Sequence, residues 1–308
     1  MKSRIVFELG DLRYELHNSW LRKPSMLPSM QVAAVACAPD DCLYVVTRNH
    51  EHPILAFDPD GCYMGTIGAE LNFGSEHGLS FAPDGCLWVC DSDRHVAYKI
   101  TRNGEVVMTL GNLDKPCDNG FDPAVPYPYN LYTINRAGEP FNRPTGVVET
   151  EDAIWACDGY GNTSVHRFDK QGKLELTFGG PGSDPDKFRL PHAIWIDRKN
   201  RVWIADRDNH RIELYDRDGG LIRCFDPIYP IGTPYGPSTL WGDNQFIYCC
   251  QNSRGIAIYD QETLDMSLLE APITSGIMGH SMCGDSQGSL YIGHLNPEPM
   301  VTKLERIR

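Results

Sequence analysis

The chain repeats itself. "EHGLSFAPDGCLWVCDSDRHVAYKITRNGEVVMTLG" (76–111), "PTGVVETEDAIWACDGYGNTSVHRFDKQGKLELTFG" (144–179) and "PHAIWIDRKNRVWIADRDNHRIELYDRDGGLIRCF" (191–225) follow one plan. Each opens with a short apolar run, passes a polar turn into a second run centred on an aromatic, and bends at an aspartate. Two further runs follow, joined by a turn such as "RNG", "KQG" or "RDG". Weaker copies occupy 32–68, 235–270 and 279–307. Short runs bounded by Gly and Asp turns are strands, so each copy predicts one four-stranded sheet. Such a sheet cannot bury both of its faces alone, whereas radial packing buries each face against a neighbour and leaves only short edges. Six copies therefore predict an all-β fold, a six-bladed β-propeller of NHL-repeat type, with 1–308 as a single domain. The last copy ends after its third strand, and the N-terminal "RIVFELGDLRYEL" is expected to supply the fourth and close the ring. Residues 112–140 and 179–190 interrupt the pattern with Pro, Gly and Asn and read as loop insertions near a site. Tyr127, Tyr129 and Tyr132 of the first insertion either cover a pocket or pack the loop upon itself.

Charge narrows the function classes. The formal net charge is −13 and no basic patch offsets it, which disfavours phosphate backbones and anionic lipid. No apolar run reaches the roughly 18–20 residues that span a bilayer. The first twenty residues lack the apolar core of a signal peptide. The expectation is a cytoplasmic protein with no nucleic-acid or membrane partner. Eleven cysteines, an odd number with no C-x-x-C pair, argue against zinc ribbons and dithiol motifs. In runs such as "LWVCD" and "IWACD" they read as small buried hydrophobes, kept reduced.

The repeats also act as a ruler. In four copies the second-strand aromatic lies eleven residues after a slot near the start of the first strand: Tyr44 from Ala33, Trp88 from His77, Trp203 from His192 and Tyr291 from His280. In the third and fifth copies the turn is one residue shorter, which sets the slot at Thr145 and Ser238. Histidine thus fills the slot in every second blade. First strands line the channel of a propeller. His77, His192 and His280 are accordingly expected to converge on its axis and hold a divalent metal, with a position left for water or substrate. Zinc suits three imidazoles; iron, cobalt or manganese suit the same geometry. A second slot, after the second strand, reads Arg48, Ser92, Gly159, Arg207, Asn252 and Leu295. Arg48 and Arg207 there suit a carboxylate or carbonyl by bidentate hydrogen bonding, although Arg207 could equally brace its turn. Tyr160 adjoins this slot and could serve as an acid or base, or simply cap a blade edge.

Taken together, "EHGLSFAPDGCLWVCD", "FNRPTGVVETEDAIWACDGYGN", "LPHAIWIDRKNRVWIADRDNHRI" and "IMGHSMCGDSQGSLYIG" resemble the peptidyl-α-hydroxyglycine α-amidating lyase family, a branch of the NHL-repeat propellers. The resemblance implies a catalytic zinc on His77, His192 and His280, active-site arginines at Arg48 and Arg207, a catalytic tyrosine at Tyr160, and a substrate-binding methionine at Met278. The family also binds calcium through an aspartate directly after the last histidine, a position held here by Ser281. The carbonyl ligands of that site would fall on Val35 and Leu79, but without the carboxylate the calcium is doubtful. The cysteine that secreted members carry after "DGY" is Gly161 here, in keeping with a reducing compartment. No monooxygenase domain is attached, so peptide amidation itself is not expected.

The chemistry implied is zinc-dependent cleavage of the C–N bond of a small α-hydroxy-amide or ureide, giving an amide and an aldehyde such as glyoxylate. The partner is then a small molecule carrying a carboxylate or amide. Two other readings keep the fold. One is a metal-dependent hydratase or hydrolase acting on a small acid or lactone; the other is a non-catalytic binding platform, which would have no use for three phased histidines.

Overall fold

Each repeat folds as its runs dictate. In the computed structural model, which describes residues 5–225, 236–251, 255–270 and 279–307, the chain forms five four-stranded antiparallel sheets and one five-stranded sheet. These are the six blades of a β-propeller. The contacts divide the chain into two compact units, Phe73–Pro237 and Met1–Asn72 with Ser238–Arg308.

The Phe73–Pro237 unit holds three blades in sequence. Blade 2 runs Glu76–Phe81, Leu87–Asp91, Val96–Ile100 and Val106–Gly111. Blade 3 runs Pro144–Glu149, Ile154–Asp158, Ser164–Phe168 and Leu174–Gly179, and blade 4 runs Pro191–Ile196, Val202–Asp206, Arg211–Tyr215 and Leu221–Phe225. Second strands are buried along their whole length, as the apolar runs "LWVCD", "IWACD" and "VWIAD" require. Fourth strands are partly exposed. Blades 2 and 3 bury Trp88, Cys90, Ala97, Val147, Ile154 and Phe168 together; blades 3 and 4 bury Trp155, Cys157, Val165, Ile194, Ile204 and Tyr215. Burial pushes the Cys90 and Cys157 thiols above the ordinary cysteine range, so they stay protonated and inert as core residues.

Asp91, Asp158 and Asp206 end the second strands of these blades and are fully buried. Each carboxylate accepts backbone N–H groups from the segment leading into the first strand of its own blade: Gly74 and Ser75 for Asp91, Asn142 for Asp158, Arg189 and Leu190 for Asp206. The recurring aspartate is a structural tie that fixes where each first strand begins.

The other unit holds blade 1 (Val32–Cys37, Leu43–Thr47, Ile54–Phe57, Tyr63–Ile67), blade 5 (Pro237–Gly242, Phe246–Gln251, Gly255–Asp260, Met266–Glu270) and blade 6. Pro237, the first residue of blade 5, is the last residue of the Phe73–Pro237 unit. Blade 6 takes Ser281–Gly284, Leu290–Gly293 and Val301–Arg306 from the C-terminal end, and the N-terminal segment completes it as expected. Leu12–His17 pairs antiparallel with Val301–Arg306 in the register Tyr14↔Arg306 to His17↔Lys303. Val6–Leu9 then adds a fifth strand that the repeat does not require. Tyr14 is fully buried, with Phe7 and Leu12 nearly so, in a core shared with blade 5 residues Tyr248, Ile256 and Ile258. Deleting residues 1–20 exposes that core. At about 2 kcal/mol per buried side chain, three such residues imply a loss of roughly 6 kcal/mol. The melting temperature is expected to fall by about 10 °C or more; an unchanged melting curve would reject the pairing. All eleven cysteines are free, and the sulfurs of Cys37 and Cys283 lie 3.4 Å apart. No helix is long and apolar enough to cross a membrane among the described residues.

Candidate metal centre

The slot read from the sequence has a structural identity. In blades 1 to 4 the ladder between first and second strands shifts register at this residue. Val32 pairs Thr47 and Ala34 pairs Val46; Pro144 pairs Asp158 and Gly146 pairs Cys157; Pro191 pairs Asp206 and Ala193 pairs Ala205. Ala33, Thr145 and His192 are left without a cross-strand partner, and His77 lies in the equivalent shift between Glu76 and Leu79. A β-bulge re-aims the side chain it carries. All six slot residues are buried, Ala33 and Ser238 at 2% exposure, His77 and His192 at 3%, Thr145 at 1% and His280 at 4%.

Within the Phe73–Pro237 unit the slot residues link blade to blade. His77 Nδ1 lies 2.8 Å from the carbonyl oxygen of Thr145, and Thr145 Oγ1 donates to the carbonyl of Pro191 at 2.8 Å. A carbonyl oxygen can only accept, so His77 Nδ1 carries the proton and Nε2 presents a lone pair. That is the arrangement by which a backbone carbonyl orients a metal-binding imidazole. His77 and His192 meet edge to face, with ring centroids 4.7 Å apart, and each offers a ring nitrogen within 4.8 Å of the other's. Two buried imidazoles so placed are a possible histidine metal site.

Tyr160 reaches the same point. Its hydroxyl lies 3.2 Å from His77 Nε2 and 3.2 Å from His192 Nε2, and it accepts a hydrogen bond from Arg207 Nη1 at 3.1 Å. The Arg207 guanidinium also lies over the Tyr160 ring, 5.3 Å from its centroid. Burial works against the charge on Arg207, but Tyr160, Tyr127 and Asp208 more than offset it, so its pKa stands above the ordinary arginine value. Arg207 is therefore a permanent cation beside a phenol and two imidazoles.

Tyr160 takes this place because blade 3 is one residue longer here. The backbone N–H after the second strand bonds the carbonyl preceding the first strand at Arg48 (to Gln31), Ser92 (to Ser75) and Arg207 (to Leu190); in blade 3 the residue making that bond is Tyr160, to Arg143. The register written from the sequence put Gly159 in this slot, and the structure corrects it to Tyr160. Gly159 is the extra residue, and a Cβ there would stand 2.3 Å from the Pro191 carbonyl oxygen. The signal was present in "CDGYGNTSV", whose link to the third strand exceeds that of "CDSDRHV" by one residue. Gly161 also has a packing reason: an added Cβ would lie 2.3 Å from Asn142 Oδ1, so the anchoring of the long insertion leaves no room for a cysteine.

The remaining expected residues lie elsewhere. His280, in the other unit, repeats the behaviour of His77: its Nδ1 lies 2.8 Å from the carbonyl oxygen of the next slot residue, Ala33, which leaves Nε2 with its lone pair. Ser238 repeats Thr145, donating to the carbonyl of Gly279. Arg48, in that same unit, follows the second strand of blade 1 and is exposed. Met278 and the slot position Asn252 lie outside the described residues. Val35 sits in the apolar core of blades 1 and 6, Leu79 is half-buried in blade 2, and the buried Ser281 hydroxyl offers a neutral oxygen where a calcium ion favours a carboxylate. Sequence reasoning gave no site role to Asp208 and only an undecided one to Tyr127. Tyr127 donates to Asp208 Oδ2 at 2.8 Å and accepts from Arg207 Nη2 at 2.9 Å. Tyr129 and Tyr132 are mostly exposed, with Arg189 lying over the Tyr132 ring at 4.2 Å.

Comparison with known proteins bears on the fold and the family. The NHL repeat family matches residues 188–213. The chain is 25% identical over 239 residues to human NHL repeat-containing protein 3, a match covering 73% of this chain and 64% of that protein. It is 30% identical over 178 residues to a probable peptidyl-alpha-hydroxyglycine alpha-amidating lyase of Caenorhabditis elegans, covering 56% of this chain and 45% of that protein. The chain thus spans less than two thirds of these relatives. Among solved structures it resembles a gluconolactonase of Xanthomonas campestris (TM-score 0.65, 14% identity, covering 100% of this chain and 96% of the other). It also resembles a catalytically inactive variant of virginiamycin B lyase from Staphylococcus aureus (TM-score 0.62, 14% identity, covering 95% of this chain and 88% of the other). At this identity the two structures speak for the fold alone. Related propellers include enzymes, and the amidating lyases among the relatives are the family that the sequence motifs resemble.

Proposed function

We propose that this chain, an NHL-repeat propeller related to the amidating lyases, is a metal-dependent carbon–nitrogen lyase. Its substrate would be a small N-acyl hemiaminal, an α-hydroxy-amide or ureide bearing a carboxylate, in a reducing cytoplasmic setting. The observation that carries this reading is the Tyr160 hydroxyl, held 3.2 Å from Nε2 of both His77 and His192 and 3.1 Å from the Arg207 cation. In this reading His280 is the third ligand. Its support is the shared slot, its burial, and the same Nδ1 tie to the next blade's slot carbonyl that His77 has. Three neutral imidazoles, at least two with lone pairs fixed on Nε2, fit zinc as a donor set.

When bound, the metal would supply Lewis acidity that lowers the pKa of the substrate's α-hydroxyl. The residues do the rest. Tyr160 takes the hydroxyl proton as the C–O bond becomes a carbonyl and the C–N bond breaks. It returns that proton to the departing amide nitrogen, so one substrate gives one amide and one aldehyde with no co-reactant. Arg207 steadies the phenol while its oxygen is negative and holds the substrate carboxylate or the developing oxyanion. Arg48 is the second arginine assigned to the carboxylate.

The test is a substrate panel on zinc-loaded protein: ureidoglycolate, N-acyl-α-hydroxyglycines and simple lactones, with aldehyde release as the readout. Glyoxylate from the first two classes is expected. Lactone opening without aldehyde release would replace this reading with the hydrolase one.

A further inference from the structure

Arg207 has five N–H groups, and the structure accounts for three of them. Nε donates to Asp208 Oδ1 at 3.1 Å, Nη2 to the Tyr127 hydroxyl at 2.9 Å, and Nη1 to the Tyr160 hydroxyl at 3.1 Å. The Nε and Nη2 hydrogens point the same way and form the side edge of the guanidinium, the edge that a carboxylate often grips with two oxygens. Here Asp208 Oδ1 and the Tyr127 oxygen, themselves 3.1 Å apart, occupy that edge as a pair. Tyr127 completes the pair by donating its own proton to Asp208 Oδ2 at 2.8 Å. The two N–H groups left over are one on Nη1 and one on Nη2. The Nη2 hydrogen left over points to the end of the guanidinium, and Nη1 is the nitrogen already at Tyr160.

We propose that Tyr127, brought in by the 112–140 insertion, is a positioning residue. With Asp208 it fills the side edge of Arg207, so that a substrate carboxylate can meet only the Nη1–Nη2 end beside Tyr160. Three features carry this. Asp208 reaches Nε alone, so without the phenol the Nη2 bond on that edge would be lost. Tyr127 is the insertion tyrosine seen to bond Arg207, while Tyr129 and Tyr132 are mostly exposed. Tyr127 is also amphipathic in its placement: the residue is 50% exposed, while burial and Asp208 raise its phenol to about 12 against the pull of Arg207. It therefore remains a neutral donor to Asp208 throughout the working pH range. Arg207 is thus aimed by a loop that stands outside the repeat, which makes the insertion a specificity element for this site.

The activity arm of the test rests on the lyase reading; the binding arm does not. Tyr127→Phe removes only the hydroxyl. It is expected to weaken the binding of glycolate, a small α-hydroxy carboxylate, by about tenfold, and to lower kcat by about 10–100-fold, because an arginine that pivots off its edge no longer aligns with Tyr160. Calorimetry with glycolate on metal-free and zinc-loaded protein reads the first effect, and steady-state kinetics the second. Asp208→Asn should be similarly impaired, and the double variant no worse than about twofold beyond Asp208→Asn alone, since both act on one edge. Tyr132→Phe, in the same insertion, should match the wild type, and the melting temperature of Tyr127→Phe should be unchanged. A glycolate defect in a protein that shows no lyase turnover would keep the positioning role and remove the reaction. Equal glycolate affinity in wild type and Tyr127→Phe, or no binding to either, would overturn the proposal.

Discussion

Replacing His280 by alanine is expected to release the metal and to lower lyase turnover by at least 10³-fold, a loss of about 4 kcal/mol in transition-state stabilisation. His280 is the informative choice among the three histidines. His77 and His192 already touch one another and Tyr160, so their loss would disturb an observed cluster. His280 has a structural bond of its own, Nδ1 to the Ala33 carbonyl, which joins blade 6 to blade 1. Alanine removes that bond too, and about 1 kcal/mol of stability is expected to go with it. A melting curve measured alongside separates the two effects: a small shift with full loss of metal identifies a ligand, whereas a large shift with metal retained identifies a structural histidine.

Tyr160→Phe is expected to leave the metal in place and lower kcat by 10²- to 10⁴-fold, the range for removing a positioned acid–base group. The ring would still lie T-shaped to His77 and His192, because phenylalanine keeps the ring and loses only the hydroxyl. KM should change little if Arg207 carries most of the carboxylate binding. Conversely, an Arg207→Lys variant cannot make the fork and should raise KM as well. Wild-type kcat in Tyr160→Phe would remove the phenol from the chemistry and leave its hydroxyl as a brace for Arg207.

Much of this arrangement could be read from the residues alone, for a physical reason. A propeller repeats one supersecondary unit, so a single residue means little by itself while its position against five copies means a great deal. His192 taken singly is a strand-entry residue; in register with His77 and His280 it becomes one of a set. What the sequence could not convey is how the slot works. The β-bulge that turns Ala33, Thr145 and His192 out of the ladder depends on three-dimensional pairing and has no composition of its own. Tyr160 falls one position late on the repeat ruler, because Gly159 lengthens blade 3 where the ruler assumes constant spacing. Tyr127 and Asp208 are hard to value from sequence for two different reasons. The insertion has no second copy to be aligned with, and an aspartate next to an arginine in "ADRDNH" looks like any turn. The cysteines, by contrast, are legible as core fillers, since Cys90 and Cys157 stand in strands buried on both faces.

The measurement that bears most directly on the account is the metal content of the protein purified without added metal, paired with turnover before and after chelation. About one equivalent of zinc or a similar divalent ion per chain is predicted, as the proposed three-histidine centre requires. Chelator should remove it together with lyase activity, and zinc should restore both. Protein that contains no divalent metal and yet cleaves the hemiaminal at full rate would contradict the account.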